Sequence, residues 1–307
     1  MEAEKFDIVI VGSGPAGLTA AIYAQRLGMN SVVLGDTPGG NLYMIQNLWN
    51  YPGFPGGVPG AQLGAQMFAQ AQMEGATLPM IRLASLSAEG GVFFSETATG
   101  ERYESRTAVL AMGVVPKSLH VRGEEKLGIH YCALCDGPLF RGKDANVVVV
   151  GGGNMAAHET LILSHFADHI QMVHRRGELR AEAALQKELR NRGNVEMIMD
   201  AQVQEVLGDD TASGVRIATR ECGEQVLRAD GIFVCVGWEP DLRVIRVPFD
   251  TTSEGYVKTD ASLMSSHPGL FAAGDVRDTA IRQVVTACAD GALAATSAYE
   301  YLSKLDR

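Results

Sequence analysis

The sequence contains no apolar run that approaches the roughly 18 residues of a membrane-spanning helix, so we expect no membrane span. Positive charge is also scarce, because 26 Lys and Arg stand against 36 Asp and Glu, for a formal net charge of −10. This balance argues against nucleic acid or an anionic membrane surface as the main partner. Residues 1–5 lead into an apolar segment without a signal-peptide pattern, which predicts a cytoplasmic protein.

Cysteine is scarce as well, with five in 307 residues, but two of the five are close together. Cys132 and Cys135 are three residues apart, which places their Cβ atoms about 5–6 Å from each other on a helix. A disulfide can bridge that span, and the positive end of a helix dipole favours a thiolate. Asp136 follows directly and could carry a proton to or from a thiolate or an adjacent cofactor.

Three other interpretations of this cysteine pair compete with a redox role. A zinc site needs another close pair of Cys or His, whereas Cys222, Cys235 and Cys288 are far apart, so no metal is expected. A static structural disulfide is disfavoured in a reducing cytoplasm. Two inert buried thiols stay open as an interpretation, since free cysteine often packs as a small hydrophobic residue.

The length of the chain predicts two domains, and the first begins with a glycine-rich turn. An apolar run, Phe6–Val11, is followed by Gly12-Ser13-Gly14-Pro15-Ala16-Gly17, a predicted helix over 18–27 and a second apolar run, Ser31–Leu34. This βαβ context indicates a dinucleotide site rather than an ordinary turn. The usual acidic ribose ligand is displaced, since Gly35 stands at the end of the second strand and Asp36 follows it.

A second unit of the same kind begins at Asn146–Val150 and continues into Gly151-Gly152-Gly153-Asn154-Met155-Ala156. Its second strand, His169–Val173, runs into His174-Arg175-Arg176, where an NAD-specific site would carry a carboxylate. Arginines there suit a 2′-phosphate, and Arg180 would share their face on a helix that starts at about Glu178. The alternative is a solvated surface turn, but the register after Gly151 favours NADPH.

The last part of the chain adds a strand that ends in Gly274-Asp275 and a final helix that opens at Arg282-Gln283-Val284. An aspartate at the carboxyl end of such a strand faces the ligand crevice of an open α/β sheet. It could accept hydrogen bonds from a ribityl chain. The helix N-terminus would present amides and partial positive charge to the electron-rich edge of a flavin.

Together these motifs resemble those of the low-molecular-weight thioredoxin reductases, in the pyridine nucleotide–disulfide oxidoreductase class. The resemblance covers essentially the whole chain and includes Asn50-Tyr51-Pro52-Gly53-Phe54-Pro55 and Cys132–Gly137. It implies two Rossmann-like three-layer ββα domains, with the NADPH domain (116–241) inserted in a discontinuous FAD domain (1–115 and 242–307). It also implies rotation of the insert about hinges near Val115–Lys117 and Pro240–Arg243.

The resemblance assigns residues to each cofactor. For FAD it implies Gly12, Ser13, Gly14, Pro15, Ala16, Gly17, Asp36, Gly40, Asn41, Leu42, Asn50, Gly113, Gly274, Asp275, Arg282, Gln283 and Val284. For NADPH it implies Gly151, Gly153, Asn154, Met155, Ala156, His174, Arg175, Arg176 and Arg180. Cys135 would be the thiol nearest the flavin, Cys132 the thiol that attacks thioredoxin, and Asp136 the acid–base group.

By the same resemblance, electrons pass from NADPH to FAD, to the Cys132–Cys135 disulfide and then to thioredoxin or a thioredoxin-like protein, and the chain forms a homodimer. Some positions depart from the family pattern: His158, Met112, Asn41 and Cys288 replace commoner residues, and the stretch before Cys132 is short. Two other functions compete. One is a flavin-dependent dithiol oxidase that uses oxygen, and the other is a redox-sensing flavoprotein with little turnover.

Overall fold

The structure is a computed structural model that describes residues 3–45, 47–48, 50–220 and 223–306, and the backbone but not the side chains of Leu134 and Cys135. Cys222, named above, therefore lies outside the described residues. Among the helices of the described part, we find none that is long and apolar enough to cross a membrane.

Strands and helices alternate along most of the chain. Within the described residues the strands are, in order, β1 (Glu4–Val11), β2 (Ser31–Leu34), β3 (Leu83–Glu89), β4 (Val92–Thr97), β5 (Arg102–Leu110), β6 (Val115–Pro116), β7 (Ile129–His130), β8 (Asn146–Val150), β9 (His169–Val173), β10 (Val195–Ile198), β11 (Ala201–Gly208), β12 (Ala212–Thr219), β13 (Gly223–Arg228), β14 (Gly231–Val234), β15 (Trp238–Glu239) and β16 (Leu270–Ala272). The α-helices are α1 (Pro15–Arg26), α2 (Gly60–Met73), α3 (Ala133–Asp136), α4 (Asn154–Leu163), α5 (Ala183–Arg190) and α6 (Val284–Leu305), and 3₁₀ turns cover Gly40–Met44, Gly137–Phe140 and Gly274–Val276.

The chain divides into two compact units. The outer unit combines Met1–Val115 with Glu239–Arg307, and the inserted unit is Pro116–Trp238. The chain passes between the units in the short strands β6 and β15, which pair with each other. The second crossing falls before residue 241, where the sequence predicts the end of the insert.

The outer unit is built on one mixed sheet with the strand order β2-β1-β5-β4-β3. Strand β1 runs parallel to both β2 and β5. One edge of β5 is shared, since β4 pairs antiparallel with its first half and β16 pairs parallel with residues 108–110. Helices α1 and α6 pack closely, and a Cβ on Gly291 would lie 2.1 Å from the carbonyl oxygen of Ala16. The two ends of the chain therefore form one core.

The inserted unit has an all-parallel sheet in the order β10-β9-β8-β14-β7 and a separate antiparallel sheet, β11-β12-β13. Its β8 strand contains a run of four valines after Asn146, and Val147, Val148 and Val149 are fully buried because layers cover both faces of the sheet. The structure confirms the predicted fold class of two Rossmann-like α/β units, one inserted in the other.

One predicted helix begins later than expected. The sequence predicts a helix from about Glu178, but α5 begins at Ala183, and Glu182 at its N-cap has extended backbone angles. The reason is a long-range bond, since the Arg180 N–H donates to the Gly152 carbonyl oxygen at 2.7 Å and holds this segment against the glycine loop. The prediction that a helix places Arg180 on the same face as Arg176 was therefore wrong.

Candidate functional site

A cavity of about 740 Å³ lies in the outer unit, at the carboxyl ends of its parallel strands. Its volume falls in the range of about 300–1,000 Å³ that is typical of small-molecule and cofactor pockets. Of the residues predicted to bind FAD, those that line it are Gly12, Ser13, Gly14, Pro15, Ala16, Asp36, Gly40, Asn41, Leu42, Gly113, Gly274, Asp275, Arg282, Gln283 and Val284. Gly17 and Asn50 are not among the lining residues.

The three glycines of the first loop have different surroundings. Gly12 has a φ of +110°, and a Cβ there would lie 2.3 Å from the Ala111 carbonyl oxygen. A Cβ on Gly17 would lie 1.9 Å from the Gly12 carbonyl oxygen, so this glycine allows α1 to approach the loop. A Cβ on Gly14 would meet nothing within 4 Å, which leaves the backbone open to the cavity. This division matches what a pyrophosphate requires at a helix N-terminus.

Asp36, the displaced acidic residue, has a partner that the sequence did not indicate. Its Oδ2 accepts a hydrogen bond from Arg82 Nε at 3.0 Å, and both side chains line the cavity. Both are substantially exposed, so this ion pair contributes little to stability. It places a guanidinium at the cavity wall, beside the carboxylate predicted to bind a ribose.

The opposite part of the cavity is formed by the turn at Gly274-Asp275 and the start of α6. Burial raises the pKa of the Asp275 carboxyl, and the nearby Arg282 partly offsets this shift. The guanidinium of Arg282 stacks 4.0 Å above the Tyr256 ring. Gln283 caps α6 and accepts a hydrogen bond from Asn50 Nδ2 at 2.9 Å. Asn50 does not line the cavity itself but holds the side chain of Gln283, which does.

A partly buried ion pair holds this turn in place. Asp290 of α6 accepts hydrogen bonds from the Gly274 N–H at 3.1 Å and from Arg277 Nε at 2.8 Å. The side chains of Asp290 and Arg277 are 15% and 18% exposed. Since two groups converge on one carboxylate, the geometry of the Gly274-Asp275 turn is fixed from the side away from the cavity.

Cys288 is a free thiol one turn into α6 and is not among the residues that line the cavity. Its Sγ lies 3.8 Å from the Tyr51 hydroxyl oxygen. Burial, followed by the neighbouring Cys288, raises the pKa of Tyr51 to about 12. The phenol is therefore neutral at physiological pH and joins the aromatic segment at residues 50–55 to the final helix.

The second glycine loop encloses a histidine. A Cβ on Gly152 would lie 2.2 Å from His174 Nδ1, so the ring packs directly against this glycine. His174 is 5% exposed, and its Nε2 has no hydrogen-bond partner among the described residues. Burial lowers the pKa of His174, and Arg180 lowers it further. The neutral ring is thus a buried group with an unused polar atom beneath the loop.

The three predicted arginines around this loop are exposed, in contrast to His174. Arg175, Arg176 and Arg180 form no ion pair with the described residues. A Cβ on Gly153 would meet nothing within 4 Å, so the loop is open there. Asn154 exchanges two 2.8 Å hydrogen bonds with Glu182 and thereby ties α4 to α5.

The cysteine motif opens the short helix α3. Cys132 precedes this helix and is disulfide-bonded, and its carbonyl oxygen accepts a hydrogen bond from the Asp136 N–H at 3.1 Å. The side chain of Cys135 lies outside the described residues, so its pairing with Cys132 stays a prediction. Asp136 Oδ2 lies 2.8 Å from His130 Nδ1.

A buried carboxylate reaches the start of this helix. Glu159 of α4 accepts a hydrogen bond from the Ala133 N–H. Burial raises the pKa of Glu159, while this hydrogen bond and the nearby His158 partly offset the shift. Cys235 belongs to the same core, and burial, followed by the charge of Glu159, raises the pKa of its thiol. Cys235 is thus a buried free thiol of the core.

Glu159→Gln is expected to stabilise the protein at pH 7, because the amide keeps an acceptor for the Ala133 N–H without a buried charge. When the pKa of a carboxyl is higher in the folded state than in the unfolded state, the folded state is progressively destabilised as the pH rises from the unfolded pKa through the folded pKa. The melting temperature of the variant should therefore exceed that of the wild type by about 2 °C at pH 7, and the gap should close near pH 4. Calorimetry measures the difference in melting temperature between the variant and the wild type at each pH. Glu125→Gln, at an exposed glutamate of the same unit, is the control. A gap that widens as the pH falls would contradict it.

Several residues at these sites were not found from the sequence as site residues. The sequence separation is 46 residues between Arg82 and its partner Asp36, 16 between Asp290 and Gly274, and 6 between His130 and Asp136. Only Asp290 had a usable signal, as the charged residue in the largely apolar first half of α6. No cluster of three or more His, Cys, Asp or Glu that could hold a metal occurs among the residues that the structure describes.

Known proteins with related sequences and structures span the whole chain. Residues 6–291 match the family described as pyridine nucleotide-disulphide oxidoreductase. A thioredoxin reductase of Listeria monocytogenes is 35% identical over 310 residues, which cover 99% of this chain and 96% of that protein. A thioredoxin reductase of Bacillus subtilis is 34% identical over 316 residues, with 99% and 98% covered.

Solved structures agree with the sequence relatives. The thioredoxin reductase of Lactococcus lactis superposes with a TM-score of 0.85 at 31% identity, and 97% of this chain and 99% of that chain are covered. The thioredoxin reductase of T. acidophilum gives a TM-score of 0.83 at 32% identity, with 97% and 98% covered. The chain therefore belongs to the pyridine nucleotide-disulphide oxidoreductase family, and within it to the low-molecular-weight thioredoxin reductases.

Proposed function

We propose that this oxidoreductase is an NADPH-dependent FAD flavoprotein that reduces the disulfide of thioredoxin or a thioredoxin-like protein. The outer unit would bind FAD and the inserted unit NADPH, with Cys132, Cys135 and Asp136 as the catalytic residues. The observation that carries the proposal is the presence, in one chain, of a disulfide-bonded cysteine at the start of α3 and a dinucleotide-sized cavity behind a glycine loop. A bound flavin would supply two-electron transfer between the nicotinamide and the disulfide.

The cavity residues fit a flavin dinucleotide. Gly14 leaves the first loop open where a pyrophosphate would lie, and the N-terminus of α1 directs partial positive charge there. Asp275 can accept hydrogen bonds from ribityl hydroxyls, and Gln283 and Val284 bring the start of α6 to the cavity wall. These residues would bind and orient the cofactor, and the apolar lining would exclude water.

The inserted unit fits a phosphorylated nicotinamide cofactor. Its glycine loop is open at Gly153, and the exposed guanidinium groups of Arg175, Arg176 and Arg180 follow β9. Guanidinium groups bind phosphate with paired charge-assisted hydrogen bonds, which supports NADPH over NADH. His174 would support the loop from below, where it packs against Gly152.

The cysteines would act by thiol–disulfide exchange. The thiolate of Cys132 attacks one sulfur of the partner's disulfide, a mixed disulfide forms, and the partner's other sulfur leaves as a thiolate. Cys135 then attacks Cys132 Sγ, which restores the enzyme disulfide and releases the second partner thiolate. Two electrons move to the partner, and Asp136 would supply or accept the proton that accompanies exchange.

The test is an anaerobic titration of the purified yellow protein with NADPH and, separately, with NADH, followed by thioredoxin. We expect two equivalents of NADPH, one for the disulfide and one for the flavin, to bleach the flavin absorbance, and oxidised thioredoxin to restore it. Oxygen consumption with a small dithiol alone would favour the dithiol oxidase, and bleaching without turnover would favour the sensor. A protein that takes up no flavin would contradict the proposal.

Assembly and compartment are further parts of the proposal. The family relationship supports a homodimer, which light scattering would report as twice the mass of one chain. The free thiols of Cys235 and Cys288 fit a reducing cytoplasm as the compartment. Rotation of the inserted unit, with hinges near Val115–Lys117 and Pro240–Arg243, is proposed from the same relationship.

A further inference from the structure

His130 lies two residues before Cys132 and contacts the carboxylate one helical turn after it. Its Nδ1 lies 2.8 Å from Asp136 Oδ2, and its side chain is 15% exposed. This distance is that of a charge-assisted hydrogen bond. His130 and Asp136, which lie on either side of the cysteine pair in the sequence, are therefore in direct contact.

The position of the His130 ring is fixed by a sheet and two aromatic rings. Strand β7 pairs in parallel with β14, with His130 opposite Phe233. The His130 ring stacks on Phe233 with centroids 4.9 Å apart and an interplanar angle of 23°. Phe140 meets the other two rings edge-on, at 5.6 and 5.8 Å. Because Phe233 is fully buried, the imidazole is held on a rigid base.

The hydrogen bond determines which ring nitrogen carries hydrogen. An ionised carboxylate can only accept, so a hydrogen bond from His130 to the ionised form of Asp136 requires the hydrogen on Nδ1. The carboxylate is thereby held in one orientation at the C-terminal end of a helix of four residues. A short helix offers few contacts of its own, and Glu159 bonds at its opposite end, at Ala133.

We propose that His130 is a positioning residue that orients the carboxylate of Asp136 for proton transfer during thiol–disulfide exchange. The inference rests on the proposed function, in which Asp136 is the acid–base group. It extends that function because the acting unit becomes an oriented His–Asp pair rather than a lone carboxyl group. Proton transfer is sensitive to geometry, and a well-placed acid–base group contributes about 10²–10⁴-fold to a rate.

Two substitutions separate the hydrogen bond from ring packing. His130→Phe keeps an aromatic ring to stack on Phe233 but has no donor, whereas His130→Asn keeps an N–H donor near the position of Nδ1 but loses the ring. His165→Asn, at an exposed histidine of the same unit, is the control. With oxidised thioredoxin as substrate, we expect kcat to fall about tenfold in His130→Phe, with KM within about twofold, and His130→Asn to recover most of the loss.

A spectroscopic measurement tests the pairing without any substrate. Ring-nitrogen NMR of the holoenzyme, with the His130 signals assigned by their loss in His130→Phe, should show hydrogen on Nδ1. In Asp136→Asn this tautomer should no longer be fixed. A merely structural ring would keep its tautomer when Asp136 changes, and would be restored by Phe rather than by Asn.

The outcomes are distinct. Full activity of His130→Phe, or hydrogen found on Nε2 alone, would overturn the inference. If His130→Asn loses activity while His130→Phe retains it, ring packing is the cause and the inference fails. If both variants lose activity equally, an N–H donor at this position does not restore the function and the inference fails as well. If no form reduces thioredoxin, the proposed function fails, while the tautomer and the reduction of dithiobis(nitrobenzoate) by the three variants still decide the role of His130.

Discussion

Cys132→Ser is expected to lower thioredoxin reduction by at least about 10³-fold, because the serine hydroxyl cannot replace a thiolate as the nucleophile. The substitution is small, and Cys132 precedes α3 rather than packing in a core. The fold should therefore persist. Cys132 is neither among the residues that line the cavity nor one of the three exposed arginines, Arg175, Arg176 and Arg180. Bleaching of the flavin by NADPH should therefore keep its wild-type rate within about twofold.

The measurements for this prediction are stopped-flow absorbance for flavin bleaching and a coupled assay for thioredoxin reduction. Cys288→Ser serves as the matched control, since it removes a free thiol outside the motif. Normal thioredoxin reduction by Cys132→Ser would show that another group attacks the partner. Loss of flavin bleaching as well would show that Cys132 also supports cofactor binding.

Replacing Arg175 and Arg176 together by alanine is expected to lower kcat/KM for NADPH about 100-fold and to change the value for NADH by less than about threefold. A hydrogen bond to a charged group contributes roughly 1.5–3 kcal/mol. Two such bonds lost at an exposed site, where water screens them, amount to about 2.7 kcal/mol, which corresponds to about 100-fold. The guanidinium groups form no ion pair with the described residues, so their removal should leave stability nearly unchanged.

Steady-state kinetics with both nucleotides test this, and the ratio of the two kcat/KM values is the diagnostic quantity. Arg190→Ala with Arg192→Ala is the control, since it removes two guanidinium groups near the end of α5 that already bond to Gln186 and Glu188. An unchanged ratio in the Arg175/Arg176 variant would exclude recognition of the 2′-phosphate. An equal loss with both nucleotides would indicate a general effect on the loop.

The parts of the fold that sequence predicted well are those set by neighbouring residues. The first glycine loop was predicted because its three glycines meet different local demands, which the surroundings of Gly12, Gly14 and Gly17 show. Strand β8 was predicted because a strand covered on both faces must be apolar throughout. In both cases the physical cause lies within a few residues of its effect.

The parts that sequence missed depend on contacts between distant or weakly patterned residues. Strand β13 was missed because it is a polar edge strand, with Gly223–Val226 exposed, and pairing with β12 rather than burial defines it. The bond from Arg82 to Asp36 joins the end of β2 to the segment before β3. His130 was missed because a single histidine before a cysteine motif has no pattern until β7 pairs with β14.

The packing of α6 on α1 and the pairing of β16 with β5 have a consequence for biosynthesis. On the ribosome, the amino-terminal half of the outer unit emerges well before residues 270–305, which complete its sheet and cover its first helix. The inserted unit is finished earlier and can fold while translation continues. Nascent chains cut short before the last helix should therefore bury the valines of the insert yet leave Gly12–Gly17 unable to retain a cofactor.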